Sequence, residues 1–145
     1  MSPHTTQPRI LLVEADHGVS SLLQDFLAEE GYALAFAASL EAAVDAVCDQ
    51  RYHLVLVDLF RPSLPALVSA VENLHQACLL TPLGLLSSWE IPPEAARRMP
   101  VAFVLPKPFD LEYLLRAVSA AVYASAGSSP SAEVPVQPEV LLAPL

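Results

Sequence analysis

The sequence predicts an α/β fold in which one parallel sheet is covered by helices on both faces. Short apolar runs alternate five times with longer segments whose apolar residues recur at helical spacing. Residues 54–57 (LVLV) are apolar at every position, as in strands that are buried on both faces. Strands joined by helices form right-handed crossovers, which predicts a doubly wound parallel sheet.

The predicted elements follow one another along residues 9–124. The predicted strands are residues 9–13, 32–36, 54–58, 82–86 and 101–105. Gly31 is expected to end the first helix, Ser39 and Asp110 to cap the second and the last, and Pro92 with Pro93 to open a short fourth helix. The predicted buried stripes are Val19, Leu22, Leu23, Phe26 and Leu27, then Leu40, Ala43, Val44, Val47 and Cys48, then Leu67, Val68, Val71, Leu74 and His75, and finally Leu111, Leu114, Leu115, Val118 and Val122.

Length and charge narrow the class of protein. A chain of 145 residues is long enough for one domain with a proper core. A net charge of -9, with 7 Lys and Arg residues in total, argues against direct binding of nucleic acid, which needs a basic face. The sequence has neither a signal peptide nor the roughly 20 consecutive apolar residues of a membrane span. We therefore expect a soluble, cytosolic protein.

The two cysteines predict neither a zinc site nor a disulfide framework. Cys48 and Cys78 lie far apart in the sequence and no paired Cys or His ligands accompany them. Both are expected to pack as small apolar side chains.

Both ends of the chain differ in composition from the predicted domain. Residues 1–8 and the Pro/Ser-rich residues 125–145 show neither helical nor strand periodicity, and we expect them to be disordered. Residues 140–145 (VLLAPL) are nevertheless apolar. They are either a short docking motif or an apolar terminus without a partner.

Polar residues follow the predicted strands at what should be one edge of the sheet. Glu14 with Asp16, Asp58, Ser87 and Lys107 come at or just after four strands, whose carboxyl ends gather ligands in parallel α/β sheets. Lys107 is the only lysine, which indicates a specific need for a compact, movable positive charge. The alternatives are a capping or loop aspartate at Asp58, a backbone-bonded hydroxyl at Ser87, and a Lys107–Asp58 salt bridge without turnover.

Four segments together resemble the receiver domains of two-component response regulators. The segments are residues 10–16 (ILLVEAD), 54–58 (LVLVD), 81–88 (TPLGLLSS) and 105–111 (LPKPFDL). The resemblance implies a flavodoxin-like (βα)5 domain over residues 9–124 with strand order 2-1-3-4-5, as in the bacterial chemotaxis regulator.

The resemblance also implies the roles of the polar residues. Asp58 would accept the phosphoryl group, Ser87 would be the switch hydroxyl, and Lys107 would contact the phosphoryl group. Mg²⁺ would be held by Glu14, Asp58 and the backbone carbonyl of Phe60. Phosphoryl transfer between two anions requires such added positive charge and in-line positioning.

The sequence departs from the family pattern near these residues. Ala15 stands where the family carries its second acidic residue, and Asp16 points away if the loop keeps its usual path. The Mg²⁺ site is therefore expected to be weak or absent. Phe60 and Trp89 flank the acceptor and the hydroxyl, where they would either slow hydrolysis by excluding water or plug the site.

One further departure concerns the fifth strand. Val104 aligns with the aromatic residue that accompanies the switch hydroxyl, while Phe103 should face the opposite side of the strand.

Three functions are considered. The first is a single-domain response regulator that accepts phosphate from a histidine kinase or phosphotransfer protein, without enzymatic activity beyond self-catalysed transfer and dephosphorylation. The second is a pseudo-receiver in which Lys107 and Asp58 form a fixed pair and partners bind irrespective of phosphate. The third is a hydrolase with Asp58 as nucleophile, which would need an aspartate where Phe60 stands.

Downstream protein partners are expected on the face formed by the fourth helix, fifth strand and last helix. Arg97, Arg98 and Arg116 form either a basic patch there or merely scattered surface arginines. The resemblance also allows a homodimer.

Overall fold

Five strands and five helices alternate along the part of the chain that the structure describes. The computed structural model describes residues 7–14, 17–58, 63–87, 91–107 and 109–125. The strands are β1 (Arg9–Glu14), β2 (Ala33–Ala37), β3 (Leu54–Asp58), β4 (Leu83–Ser87) and β5 (Phe103–Pro106). The helices are α1 (His17–Glu29), α2 (Leu40–Asp49), α3 (Leu64–Ala77), α4 (Pro93–Arg98) and α5 (Leu111–Ser125).

The strands form one parallel sheet in the order β2-β1-β3-β4-β5. This confirms the predicted fold class and strand order. Strand β3 lies at the centre, and the register pairs Glu14 of β1 with Asp58 of β3. At the other side of β4, Ser87 pairs with Pro106 of β5. The sheet thus ends in a continuous edge made by the last residues of four neighbouring strands.

Alternate residues of the central strands enter two separate cores. Leu11, Val13, Val55 and Val57 pack with residues of α2, α3 and α4 on one face. Ile10, Leu12, Leu54 and Leu56 pack with α1 and α5 on the other. The first four residues of β3 are all buried, which confirms the prediction of a strand covered on both faces.

Local capping explains where several helices begin or end. The Ser39 hydroxyl accepts a hydrogen bond from the Ala42 N–H, and Ser63 does the same for Ala66. The Asp110 carboxylate accepts a longer one of 3.4 Å from Glu112 N–H. Gly31, which follows α1, has a φ of 99°, a left-handed conformation that glycine adopts without a Cβ clash. The predicted roles of Ser39, Asp110 and Gly31 are confirmed.

Three side chains predicted to lie on buried stripes are exposed. Leu22 is 69% exposed and Leu111 is 41% exposed, and Cys48 is also exposed. Leu22 lies at the margin of the α1 stripe, because Leu23 and Leu27 face the sheet and a residue one position from Leu23 is turned by about 100°. Leu111 is the first residue of α5 and Cys48 is the last but one of α2, so both lie at helix ends. The predicted packing of Cys78 is correct, since it is buried.

Strand β4 contains a glycine that is covered by an aromatic ring. Gly84 pairs with Phe103 of β5, and a Cβ added at Gly84 would overlap the Phe103 ring. The ring itself is fully buried in the core beneath α1 and α5. Phe103 therefore occupies the space that a side chain at position 84 would need.

The ends of the chain, residues 1–6 and 126–145, fall outside the described residues, so the predicted disorder there remains a prediction. No helix in the described ranges has the length and apolar character needed to cross a membrane.

Candidate functional site

Four polar residues meet at the carboxyl edge of the sheet, as the sequence predicted. Glu14, Asp58 and Ser87 are the last residues of β1, β3 and β4, and Lys107 directly follows β5. Because these four strands are neighbours and parallel, their ends lie side by side about 5 Å apart from strand to strand. The topology thus gathers residues that are up to 93 positions apart in sequence (107 minus 14).

Lys107 and Asp58 form an ion pair. The Lys107 Nζ lies 2.7 Å from Asp58 Oδ2, and the two side chains are 26% and 9% exposed. The distance is short, but the contact lacks the angles of a hydrogen bond, so it is primarily electrostatic. The only lysine of the chain therefore lies against the carboxylate at the centre of the sheet edge.

The backbone fixes the base of the Lys107 side chain. The Lys107 N–H donates a 2.8 Å hydrogen bond to the Ser87 carbonyl, one residue beyond the pairing of Ser87 with Pro106. The sequence alone does not predict this link, because it depends on the register between β4 and β5. It anchors the residue at the strand end while leaving the long side chain able to move.

Glu14 adds a second carboxylate beside Asp58. The two residues are register partners on adjacent strands, so their side chains leave the sheet on the same side. Glu14 is only 6% exposed. Two neighbouring carboxyl groups in a weakly hydrated place supply oxygen ligands that suit a cation.

The carboxylates fit the requirements of a magnesium ion. Mg²⁺ is commonly held by one or two carboxylates, with water and phosphate oxygens as its other ligands. Glu14 and Asp58 supply the two carboxylates, and the described ranges contain no cluster of three or more His, Cys, Asp or Glu side chains. The described donor set thus matches Mg²⁺ shared with a phosphate better than a cage made entirely of protein ligands.

Ser87 provides the hydroxyl at this edge and is 4% exposed. Leu85 faces the core beneath α2 and α3, and Ser87 continues on that side by strand alternation. Val104 faces the same core while Phe103 faces the opposite one, which confirms the predicted orientation of both residues. The place where a ring was expected to accompany the hydroxyl is therefore lined by a valine.

Three of the predicted site residues fall outside the described residues. These are Asp16, Phe60 and Trp89, and Ala15 is outside as well. Their predicted effects on metal binding and on water access remain predictions.

The fold matches solved structures of receiver domains. The signal receiver domain of an HD domain-containing protein from Pseudomonas fluorescens Pf-5 superposes with a TM-score of 0.71 at 24% identity, covering 85% of this chain and 92% of that chain. The response regulator TrrA from Thermotoga maritima, solved in complex with Mg²⁺-BeF, gives a TM-score of 0.66 at 21% identity, with coverage of 79% and 98%. This chain has the fold of a response-regulator receiver domain.

The sequence comparison finds a curated relative that is a transcriptional regulatory protein. The chain is 30% identical over 115 residues to an uncharacterized transcriptional regulatory protein, YkoG, from Bacillus subtilis. The match covers 78% of this chain and 50% of YkoG, so the chain spans about half the length of this relative. No protein-family model matches the chain.

The receiver fold brings a carboxylate, a cation and a hydroxyl to the ends of neighbouring strands at one edge of the sheet. Asp58 offers a carboxylate oxygen as nucleophile, Lys107 offers positive charge, and Ser87 offers a hydrogen-bond donor. Glu14 increases the negative charge that must be balanced before an anionic substrate can approach. These side chains together suit the transfer of a phosphoryl group to a carboxylate.

Proposed function

We propose that this chain is a phosphoacceptor of a two-component phosphorelay, in which Asp58 takes a phosphoryl group from a phosphohistidine. The donor would be a histidine kinase or a phosphotransfer protein. The observation that carries the proposal is the 2.7 Å contact between Lys107 and Asp58 beside the buried carboxylate of Glu14. Within the described residues, this is the place where a nucleophilic oxygen, a cation and a possible metal ligand converge.

The donor, the acceptor and solvent supply all the atoms of the reaction. An Asp58 carboxylate oxygen attacks the phosphorus, a P–O bond forms, and the P–N bond to the donor imidazole breaks with its electron pair remaining on nitrogen. That nitrogen then takes a proton from solvent. Lys107 lowers the electrostatic cost of bringing the anionic phosphoryl group to a carboxylate. Mg²⁺, held by Glu14 and Asp58 when bound, supplies further charge neutralisation.

Ser87 would report the new phosphoryl group to the rest of the domain. Its hydroxyl lies at the end of the strand next to Asp58 and can donate a hydrogen bond to a phosphoryl oxygen after a small movement. Because Val104 replaces the usual ring on β5, we propose that Ser87 acts without a coupled aromatic rotation. The movement would instead be passed to α4, which follows β4.

The output surface would be the face formed by α4, β5 and α5. Arg97, Arg98 and Arg116 are all exposed, whereas the whole chain carries a net charge of -9. Such a basic patch would favour an acidic partner surface and set its orientation. The substitution Arg98→Glu is expected to lower the affinity of a downstream partner, and an unchanged affinity would remove this face from the proposal.

A pseudo-receiver is the second candidate function. It is favoured by the 2.7 Å Lys107–Asp58 contact, which already balances the charge of the Asp58 carboxylate, and by Ala15 in place of an acidic ligand. In that case partners would bind through the same fold irrespective of phosphate. The two candidates differ in one measurable property, the formation of an acyl phosphate on Asp58.

Incubation with acetyl phosphate and Mg²⁺, followed by intact-mass analysis, tests this directly. The proposed function predicts an adduct of about 80 Da, equal to one HPO₃, that is lost in Asp58→Asn. Asp49→Asn, an exposed aspartate of α2, is the matched control and should keep the adduct. Beryllofluoride with Mg²⁺ should also change the fluorescence of Trp89, the single tryptophan. An adduct that persists in Asp58→Asn, or none in the wild type, would contradict the proposal.

A further inference from the structure

An open groove of about 510 Å³ lies between the ends of α2 and α3, away from the polar edge. Its apolar lining includes Val47, Cys48 and Ala77 together with Leu79 and Leu80. Leu79 and Leu80 are 68% and 78% exposed, although they are adjacent in sequence and both large. Two neighbouring exposed leucines beside an apolar groove form a surface that gains free energy when covered.

Hydrogen bonds place this groove at the amino edge of the sheet. Thr81, just before β4, donates from its hydroxyl to the carbonyl of Tyr52, just before β3, at 3.2 Å. This hydrogen bond joins the segment between α3 and β4 to the segment between α2 and β3. The groove therefore lies one strand length from Asp58 and shares no residue with the polar edge.

Helix α5 returns to this same edge. The hydroxyls of Tyr32 and Ser119 lie 3.1 Å apart, and Tyr32 directly precedes β2. Since Ser119 is already level with the amino edge, the helix end at Ser125 extends about 9 Å further in that direction. The chain after residue 125 thus starts from the edge that carries the groove.

The chain beyond α5 contains one apolar segment at a suitable separation. Residues 126–139 are rich in Pro and Ser, whereas residues 140–145 (VLLAPL) are wholly apolar. The groove is three strand spacings from the start of β2, about 15 Å, and on the opposite face, which adds about 10 to 20 Å. Fourteen linking residues span about 46 Å when extended and about 20 Å on average as a coil, so they reach the groove without strain.

We propose that residues 140–145 dock in the groove between α2 and α3 and cover Leu79 and Leu80. A linker whose average length matches the distance gives an effective concentration in the millimolar range, so a weak apolar contact suffices for substantial occupancy. Asp49 and Arg51 on the rim have opposite charges, which leaves no net repulsion toward Glu139. This interaction goes beyond the proposed phosphoacceptor function and does not depend on it.

The exposed thiol of Cys48 allows the docking to be measured in the full chain. Cys48 lines the groove, and its rate of alkylation by iodoacetamide should fall in proportion to the time that the groove is covered. Cys78 also lines the groove but reacts slowly, because burial, and secondarily the nearby Cys48, raises its pKa to about 11, so the test compares the rate at Cys48 between variants. Peptide mass spectrometry separates the two sites.

The test compares the wild type with the double variant Leu141→Ser, Leu142→Ser. The rate at Cys48 should rise about two-fold or more in the variant, because a segment docked half of the time shields the thiol by half. The matched control Val134→Ser, Val136→Ser alters the same tail outside the docking segment and should leave the rate unchanged. In a Leu80→Ser background the effect of the double variant should shrink toward zero.

Two outcomes would overturn the proposal. Equal rates at Cys48 in the wild type and in the Leu141→Ser, Leu142→Ser variant would mean that the segment does not cover the groove. Protection that increases with protein concentration would mean that a second copy of the chain covers it instead. Melting temperatures of all variants, expected to lie close to that of the wild type, distinguish a loss of docking from a loss of folding.

Discussion

The Lys107 ammonium and the Asp58 carboxylate make a 2.7 Å contact that spans β4, the strand between those that carry them. Asp58 is 9% exposed and Lys107 is 26% exposed, so the pair is neither a surface salt bridge nor fully buried. Surface pairs contribute little, whereas removing one member of a buried pair is costly. The effect of Lys107 on stability should therefore lie between these limits.

Replacing Lys107 by Met should lower the free energy of unfolding by about 1–3 kcal/mol, because it removes the cation that contacts the largely buried Asp58 carboxylate. In an Asp58→Asn background the same replacement should cost under about 1 kcal/mol. Urea denaturation in the presence of a chelator measures both values. Arg98→Met, at an exposed arginine of α4, is the control and should change stability by less than about 0.5 kcal/mol. Equal costs of Lys107→Met in the two backgrounds would show that the pair is not coupled.

Magnesium should stabilise the protein through Glu14 and Asp58. A site with an affinity of about 1 mM would add about 1.4 kcal/mol at about 10 mM Mg²⁺, equivalent to a rise in melting temperature of about 3–6 °C. Differential scanning fluorimetry with and without Mg²⁺ gives this shift. Glu14→Gln should abolish it, while Glu41→Gln, at an exposed residue of α2, should preserve it. A shift that survives in Glu14→Gln would place the bound metal elsewhere.

The same assay tests the expected weakness of the metal site. Ala15→Asp introduces the acidic residue that receiver domains usually carry there, and one more negative ligand should raise Mg²⁺ affinity about ten-fold. The variant should then show its full thermal shift at about one tenth of the Mg²⁺ concentration that the wild type needs. Unchanged affinity in Ala15→Asp would mean that the loss of this ligand does not limit metal binding.

The sequence predicted the fold and the convergence at the polar edge from simple physical rules. Short apolar runs alternating with helical stripes require a parallel sheet, and a parallel sheet brings strand-end residues together irrespective of their distance in sequence. Lys107 and Asp58 are 49 positions apart (107 minus 58), yet that topology brings them to the same edge of the sheet. The types of the residues at the predicted strand ends were sufficient to predict which residues gather at this edge.

Other features depend on side-chain packing that periodicity does not encode. Cys48 and Leu22 occur at helical spacing with buried residues, but Cys48 lies near the end of α2 and Leu22 at the margin of the α1 stripe. The cover of Gly84 by Phe103 depends on the register between β4 and β5 and on the rotamer of one ring. A lone glycine in a predicted strand indicates a close approach but does not identify the approaching group.

Gly84→Ala should destabilise the protein more than most glycine-to-alanine substitutions, because the new methyl group would overlap the Phe103 ring. We expect a loss of about 1–3 kcal/mol in the free energy of unfolding. In a Phe103→Leu background the added methyl should cost less, since the shorter side chain leaves room. Gly31→Ala is the control: its cost comes from the φ of 99° rather than from packing, so it should be the same in both backgrounds. Additive effects of Gly84→Ala and Phe103→Leu in chemical denaturation would contradict the packing explanation.

The Cys78 thiol should make folding stability fall at alkaline pH. Burial, and secondarily the nearby Cys48, raises the pKa of Cys78 from 9.0 to about 11 in the folded protein. Between these values the unfolded chain loses the thiol proton while the folded chain keeps it, so the unfolded state binds fewer protons and stability decreases as pH rises. The contribution is complete below pH 9 and lost by about pH 11, with a total change of about 1–3 kcal/mol.

Urea denaturation under reducing conditions at several pH values from 7 to 11 isolates this contribution as the difference between the wild type and Cys78→Ser. Serine can still donate to the Leu74 carbonyl, as the Cys78 thiol does at 3.1 Å, but it does not titrate in this range. The difference in unfolding free energy between the two proteins should be constant up to about pH 9. Above that pH the wild type should lose stability relative to the variant. Cys48→Ser should retain most of the wild-type pH dependence, because burial of Cys78 is the larger cause of its raised pKa. If Cys78→Ser lost stability at alkaline pH as steeply as the wild type, the titrating group would be another residue.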